Sequence, residues 1–140
     1  MKTVLVAYES RGGKTKQTAE AIADACKSRG HEVTVAPLSG VGQPMLDGAD
    51  VVFIGSWVEG FILFGVRPAR AARTWLQNSK SLTDKTVALF CTYGVNPRSS
   101  LEVMRALAEA NGAKVVAQRA MNHRSPADGA QELVAAVPGL

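Results

Sequence analysis

The segment between the first apolar run and the first helical pattern has the composition of a phosphate-binding loop. It reads SRGGKT at positions 10–15. Its two glycines let backbone N–H groups approach a ligand closely, and the hydroxyls of Ser10 and Thr15 add donors. The positive end of the following helix favours an anion there, and Arg11 and Lys14 add charge. The segment therefore predicts a phosphate site rather than only a strand-to-helix turn capped by Ser or Thr.

The string Gly-Gly-Lys-Thr does not complete the motif of P-loop nucleoside triphosphatases. That motif requires a glycine five positions before its Gly-Lys pair, and Tyr8 stands there. Such an enzyme would also need an acidic Mg²⁺ ligand at the end of the third strand, where the sequence has Gly55 and Ser56. The predicted anion is therefore not a P-loop triphosphate.

Two further segments carry aromatic residues next to predicted strand ends. Trp57 directly follows the third strand, and Tyr93 and Gly94 directly follow the fourth. Aromatic rings beside a phosphate site predict a flat, aromatic ligand. The apolar stretch 61–64 is compatible with a cover for that ligand, with packing under the next helix, and with a dimer contact.

Strand-like and helix-like patterns alternate along the chain, and this alternation must position the three segments. Ala19, Ile22, Ala23 and Cys26, for example, have the spacing of one helix face. Residues 38–49 are expected to form only a short helix or an irregular loop. The predicted strands are 2–8, 31–37, 50–56, 85–92 and 113–121, and the predicted helices are 15–29, 66–77, 99–111 and 126–137.

This alternation predicts a three-layer, doubly wound α/β fold around a five-stranded parallel sheet in the order 2-1-3-4-5. Short, nearly continuous apolar strands are typical of parallel sheets that are covered by helices on both faces. In such folds a ligand binds at the carboxyl ends of the strands, near the point where strand order reverses. The three segments after strands one, three and four leave the sheet around that point.

Composition favours one globular domain over residues 1–140. Hydrophobic residues make up 46% of the 140 residues, and the net charge is +4 with a pI of about 9.3. No apolar run reaches the ~20 residues that span a membrane, so a cytoplasmic location is expected. The chain has no long basic run, so nucleic acid is not expected to be its partner.

The remaining reactive side chains give weaker signals. Cys26 and Cys91 have no CxxC partner and are expected to be buried thiols, and no metal site is predicted. Glu59, His123 and Arg124 are candidates for acid–base roles only because their positions place them near the expected ligand ring. Solvated loop residues are the simpler interpretation of all three, so no catalytic residue is predicted.

These segments together resemble those of the short-chain flavodoxins and of flavodoxin-like FMN domains, over essentially the whole chain. SRGGKT at 10–15 resembles the family's T/S-x-T-G-x-T phosphate loop, except that Gly12 replaces a threonine. GSW at 55–57 and TYG at 92–94 resemble the two loops that flank the flavin ring. Flavodoxin is itself the standard example of FMN bound at the switch point of this fold.

The resemblance implies noncovalent FMN, with its phosphate in 10–15 and its ring between Trp57 and Tyr93. It implies an electron carrier between redox partners. The alternatives are a flavodoxin-like oxidoreductase with its own quinone or porphyrinogen substrate, and a cofactor-free domain of the same fold. The residues expected at the cofactor are Ser10, Arg11, Gly12, Gly13, Lys14, Thr15, Ser56, Trp57, Val58, Glu59, Gly60, Thr92, Tyr93 and Gly94.

The basic charge departs from that of carrier flavodoxins, which are usually acidic. It predicts a redox partner with an acidic docking surface. It also predicts FMN binding that is more sensitive to salt than in an acidic relative. A homodimer through the apolar segment 57–65 is a further expectation.

Overall fold

The computed structural model describes residues 1–61, 64–78 and 82–140, with the side chains of Phe61 and Phe64 left out of the description. A 3-10 turn at Leu38–Gly40 and the short helix α2 link the second and third strands. The strands are β1 (Thr3–Glu9), β2 (Glu32–Pro37), β3 (Val51–Phe61), β4 (Phe64–Pro68), β5 (Thr86–Tyr93) and β6 (Lys114–Asn122), and the helices are α1 (Lys14–Ser28), α2 (Gln43–Asp47), α3 (Arg70–Asn78), α4 (Ser100–Ala110) and α5 (Ala130–Ala135).

Five parallel strands form the body of the sheet in the order β2-β1-β3-β5-β6. Counted without β4, this is the predicted order 2-1-3-4-5, and the predicted fold class is confirmed. The prediction of only five strands is wrong, because β4 pairs antiparallel with β3. Within the described ranges, the sheet therefore has six strands.

The added strand comes from an extension of β3 beyond the parallel body. β3 was expected to end at residue 56 but continues to Phe61. The continuation pairs Val58 with Pro68 and Glu59 with Arg67. Backbone groups that continue past the parallel neighbours need hydrogen-bond partners, and β4 supplies them. The described residues of the segment 57–65, which was expected to form a loop, therefore belong to the paired strands β3 and β4.

Two helices begin later than predicted. The helix predicted from residue 66 begins at Arg70, because residues 66–68 belong to β4. Proline restricts its preceding residue to extended conformations, which explains why no helix runs through Pro68. The last helix begins at Ala130 rather than at 126. Neither Ser99 nor Ser100 provides the expected cap, because no side-chain hydrogen bond caps α4.

The core lies in two layers, one on each face of the sheet. α1 and α5 cover one face, where the helix face predicted in α1 is buried. α3 and α4 cover the other face together with Leu38 and Leu46 from the short connection. The predicted three-layer arrangement is thus present, with only one short helix between β2 and β3.

The apolar stretch 61–64 lies largely outside the described residues. Ile62 and Leu63 are not described, and only the backbone strand assignments of Phe61 and Phe64 are. The three expectations for this stretch therefore stay predictions. Among the described helices, none is long and apolar enough to cross a bilayer.

Gly55 leaves room for the ring of Phe90, which is fully buried on the α1 face. A Cβ atom at Gly55 would lie 2.0 Å from Cε2 of Phe90. Gly55→Ala is therefore expected to lower the free energy of unfolding by about 1–3 kcal/mol through overpacking. Urea denaturation measures this loss. Gly40→Ala is the control, because the nearest atom to its Cβ would be 3.5 Å away, and an equal effect in both variants would contradict the explanation.

The two thiols predict a loss of stability at alkaline pH. Burial raises the pKa of Cys26 to about 11 and that of Cys91 to about 12, from 9.0. The folded chain keeps protons that the unfolded chain releases. The thiols therefore contribute their full stabilisation below pH 9. Above pH 9, up to the raised pKa of each thiol, the free energy of unfolding falls by up to about 1.4 kcal/mol per pH unit for each thiol. Urea denaturation from pH 8 to 10.5 should give Cys91→Ala a shallower fall than the parent chain, and equal slopes would contradict the assignment.

Candidate functional site

The carboxyl ends of β1, β3 and β5 meet at one edge of the sheet. Glu9 is in register with Ser56, and Trp57 is in register with Thr92. The three segments that the sequence singled out therefore leave the sheet side by side. This is the edge, at the reversal of strand order, where doubly wound folds bind their ligands.

The first segment turns directly into α1. Gly13 occupies the N-cap with φ of 90°, a left-handed conformation that favours glycine. The Ser10 hydroxyl oxygen accepts hydrogen bonds from the N–H of Gly13 at 3.1 Å and from that of Lys16 at 3.4 Å. Ser10 therefore stabilises the loop and the first helical turn from within.

The start of α1 has the electrostatics of an anion site. The first N–H groups of any helix have no acceptor within the helix, and its dipole places partial positive charge there. The first turn of α1 contains no acidic residue. Exposed Arg11, Lys14 and Lys16 add three cations. Such a helix end attracts phosphate.

The Thr15 hydroxyl makes a contact that the sequence did not predict. The side chain is 1% exposed, and its Oγ1 lies 2.6 Å from Oγ1 of Thr92. This buried hydrogen bond joins the first segment to the end of β5. Thr15 and Thr92 thus hold two walls of the site together.

The two predicted aromatic residues lie on the neighbouring strands β3 and β5 at this edge, and both are half-buried. The guanidinium carbon of Arg11 lies 5.3 Å from the centre of the Trp57 ring. This cation–π contact is worth about 0.5–1 kcal/mol at an exposed site. It links the first segment to β3, just as the threonine pair links it to β5.

A cleft of about 350 Å³ lies between these groups. Its volume is within the usual range for small-molecule sites. The lining combines bases, a buried hydroxyl pair, aromatic rings and exposed backbone. It consists of Arg11, Gly12, Lys14, Thr15, Trp57, Val58, Thr92, Tyr93, Gly94 and His123.

Three predicted residues of β3 do not line this cleft. Ser56 is fully buried, and its hydroxyl donates to the carbonyl oxygen of Trp57 and accepts from the N–H of Ala69. Ser56 thus joins β3 to the start of α3. Glu59 and Gly60 line a neighbouring cleft of about 210 Å³ beside the hairpin.

Glu59 is held by two arginines. Its Oε1 lies 3.0 Å from Nε of Arg67 and 2.8 Å from a terminal guanidinium nitrogen of Arg73. Partial desolvation raises the pKa of the Glu59 carboxyl, but the hydrogen bonds and charges of the two arginines outweigh it and lower that pKa below its ordinary value. Glu59 therefore stays ionised and fastens the hairpin to α3.

His123 is the lining residue that the sequence left as a solvated loop side chain. It directly follows β6 and lies half-buried against the end of β5. Its backbone N–H donates to the carbonyl oxygen of Tyr93 at 2.9 Å. The sequence signal for His123 was its position directly after a predicted strand. Because β6 pairs with β5, that position lies beside Tyr93 and lines the cleft.

A second, larger cleft of about 730 Å³ lies at the same edge, between the end of β2 and α3. It is lined by residues that the sequence did not single out. Among the described residues, no group of three or more His, Cys, Asp or Glu side chains is arranged to hold a metal ion. The lining of this second cleft is Glu9, Leu38, Ser39, Arg70, Ala71, Thr74, Trp75 and Asn78.

The fold and the cleft define an α/β protein that binds a phosphate-bearing ligand at its switch point. The family model described as "Flavodoxin domain" matches residues 5–124. The chain belongs to the flavodoxin family, whose cofactor is FMN. No curated protein matches the sequence.

Solved flavodoxins share the fold over nearly the whole chain. The two-electron reduced flavodoxin of Megasphaera elsdenii is 22% identical with a TM-score of 0.82, covering 96% of this chain and 97% of its own. Flavodoxin 2 of Bacillus cereus is 19% identical with a TM-score of 0.78, covering 96% and 97%. An archaeal flavodoxin is 19% identical with a TM-score of 0.74, covering 96% and 98%.

Proposed function

We propose that the 350 Å³ cleft holds the FMN of a flavodoxin-type electron carrier. Family membership makes the chain an FMN-binding electron carrier, and it favours this function over a dedicated oxidoreductase or a cofactor-free domain. The observation that supports the cleft as the site is the convergence of an anion-binding helix end and two aromatic side chains in one opening at the switch point.

The donor set fits each part of the cofactor. The free N–H groups at the start of α1, with Arg11 and Lys14, would hold the phosphate. Trp57 and Tyr93 would flank the ring, and Gly94 leaves its backbone exposed to it. When bound, FMN supplies one- and two-electron transfer. The protein orients the ring, limits its contact with water and surrounds it with positive charge.

The assignment of residues to the cofactor rests on this fit. Arg11, Gly12, Lys14, Thr15, Trp57, Val58, Thr92, Tyr93 and Gly94 line the opening. Ser10 and Gly13 do not line the opening, but they form the turn between β1 and α1 that shapes it. Ser56, Glu59 and Gly60 support the hairpin beside it.

The basic opening also supports a partner with an acidic docking surface. Arg11, Lys14 and Lys16 are exposed around it, while the nearby carboxylate of Glu59 is neutralised by two arginines. Charge complementarity of this kind accelerates association and weakens as salt is added. A cytoplasmic location and a dimer through residues 57–65 stay predictions from the sequence.

Titration of the cofactor-free chain with FMN, followed by flavin absorbance and tryptophan fluorescence, tests the proposal. We expect saturable binding of one FMN. Riboflavin, which lacks the phosphate, should bind more weakly. A chain that binds no FMN would overturn the proposed function, and equal affinities for FMN and riboflavin would remove the phosphate site from it.

A further inference from the structure

The imidazole of His123 has a fixed orientation at the wall of the cleft. Its Nδ1 lies 3.0 Å from the carbonyl oxygen of Tyr93, which also accepts the backbone N–H of His123. A carbonyl oxygen only accepts hydrogen bonds, so Nδ1 carries the proton. In the neutral ring, Nε2 therefore has the free lone pair and is the atom that a further proton would bind.

The same Nδ1–Cε1 edge of the ring lies beside the backbone of the third segment. A Cβ atom at Gly94 would lie 3.5 Å from both Cε1 and Nδ1 of His123. The Cε1 edge therefore packs over Gly94, and Nε2 lies on the side of the ring away from the Tyr93 carbonyl. Among the described residues, none makes a hydrogen bond with Nε2. The side chain is thus held at one nitrogen and left available at the other.

The cleft beside His123 is lined by cations and by no carboxylate among the described residues. Arg11 and Lys14 line the cleft from the first segment, and Tyr93 lines it from β5. Arg124 follows on the same loop and is exposed. No carboxylate lines the cleft among the described residues. A negative charge brought into this cleft would favour a proton at Nε2, because opposite charges attract.

We propose that His123 is a proton-binding residue of the electron-transfer site, an inference that rests on the proposed position of FMN. Bound FMN would supply two-electron transfer, and the arrival of two electrons from a redox partner with one proton from solvent would leave one negative charge in the cleft. Nε2 of His123 then takes a second proton from solvent. Two electrons and two protons would then enter the site, with the second proton held on the protein by His123.

This role predicts a steeper pH dependence of the two-electron midpoint potential. One additional proton changes the equilibrium tenfold per pH unit, which is about 30 mV for a two-electron couple. Between pH 5 and 9, the FMN-loaded parent chain should therefore have a region that is steeper than in His123→Gln, by up to about 30 mV per pH unit. His31→Gln is the matched control, since the chain has two histidines and His31 lies at the far end of β1, where its Nδ1 accepts from Lys2.

Nitrogen NMR of the unmutated chain gives a second readout that does not depend on the variant folding. We expect the Nδ1–H tautomer of His123 without cofactor, and at least tenfold tighter proton binding at Nε2 after FMN is bound and reduced. His31 should not respond. FMN binding without any change at His123, or equal slopes in His123→Gln and the parent, would overturn this inference alone. A chain that does not bind FMN would overturn the proposed function and this inference together.

Discussion

Trp57→Ala is expected to weaken FMN binding by about 1–3 kcal/mol, or roughly 5- to 150-fold in Kd. Trp57 is half-buried at the end of β3 and faces the cleft, so its ring offers the largest apolar contact there. Tyr93→Ala should have an effect of similar size from the other wall. Titration of each cofactor-free variant with FMN measures both values.

Trp75→Phe is the control for the loss of a tryptophan. Trp75 lies on α3 and lines the larger cleft, so its replacement should leave FMN affinity unchanged. It also removes the other tryptophan signal and assigns the fluorescence change to Trp57. Unchanged affinity in both Trp57→Ala and Tyr93→Ala would reject the aromatic sandwich.

Neutralising the two bases of the first segment is expected to have the next largest effect. The double variant Arg11→Gln, Lys14→Gln should weaken FMN binding by about 1–2 kcal/mol at low salt, because both cations lie at the positive end of α1. The difference from the parent should shrink as salt is raised, since both side chains are exposed. Titrations at low and high salt measure it.

Riboflavin separates this charge effect from damage to the ring site. It lacks the phosphate, so its affinity should be much less sensitive to the double variant. Lys27→Gln is a matched control, because Lys27 carries the same charge in the last turn of the same helix. If Lys27→Gln weakened FMN binding as much as the double variant, a local phosphate site at the start of α1 would be contradicted.

The parallel body of the fold could be predicted from sequence because its elements have unambiguous periodicity. Each predicted boundary of β1, β5 and β6 agrees with the structure to within one residue. The β3–β4 hairpin could not be predicted in the same way. Residues 57–65 are apolar without strict alternation, and Pro68 is also acceptable in the first turn of a helix. Residues 64–68 form a strand and not the start of a helix because they pair with the extension of β3.

The parts of the candidate site that depend on residue type could be predicted from the sequence. The parts that depend on contacts between residues far apart in the chain could not. Glycines, bases and rings indicate an anion and an aromatic ligand from their types alone. The sequence does not indicate that the Thr15 hydroxyl meets Thr92, or that Glu59 meets Arg73 across 14 positions. His123 was missed for the same reason, because its wall position depends on the register between β5 and β6.

Cys91 lies one residue before Thr92, but it belongs to the core layer that α3 and α4 cover, where it is fully buried. The thiolate is the form that oxidants attack, and burial keeps both thiols of this chain protonated at neutral pH. A flavin that reacts with oxygen releases peroxide next to the protein that carries it. Because both sulfurs are buried, one in each core layer, they are shielded from the oxidants that would join two chains through a disulfide.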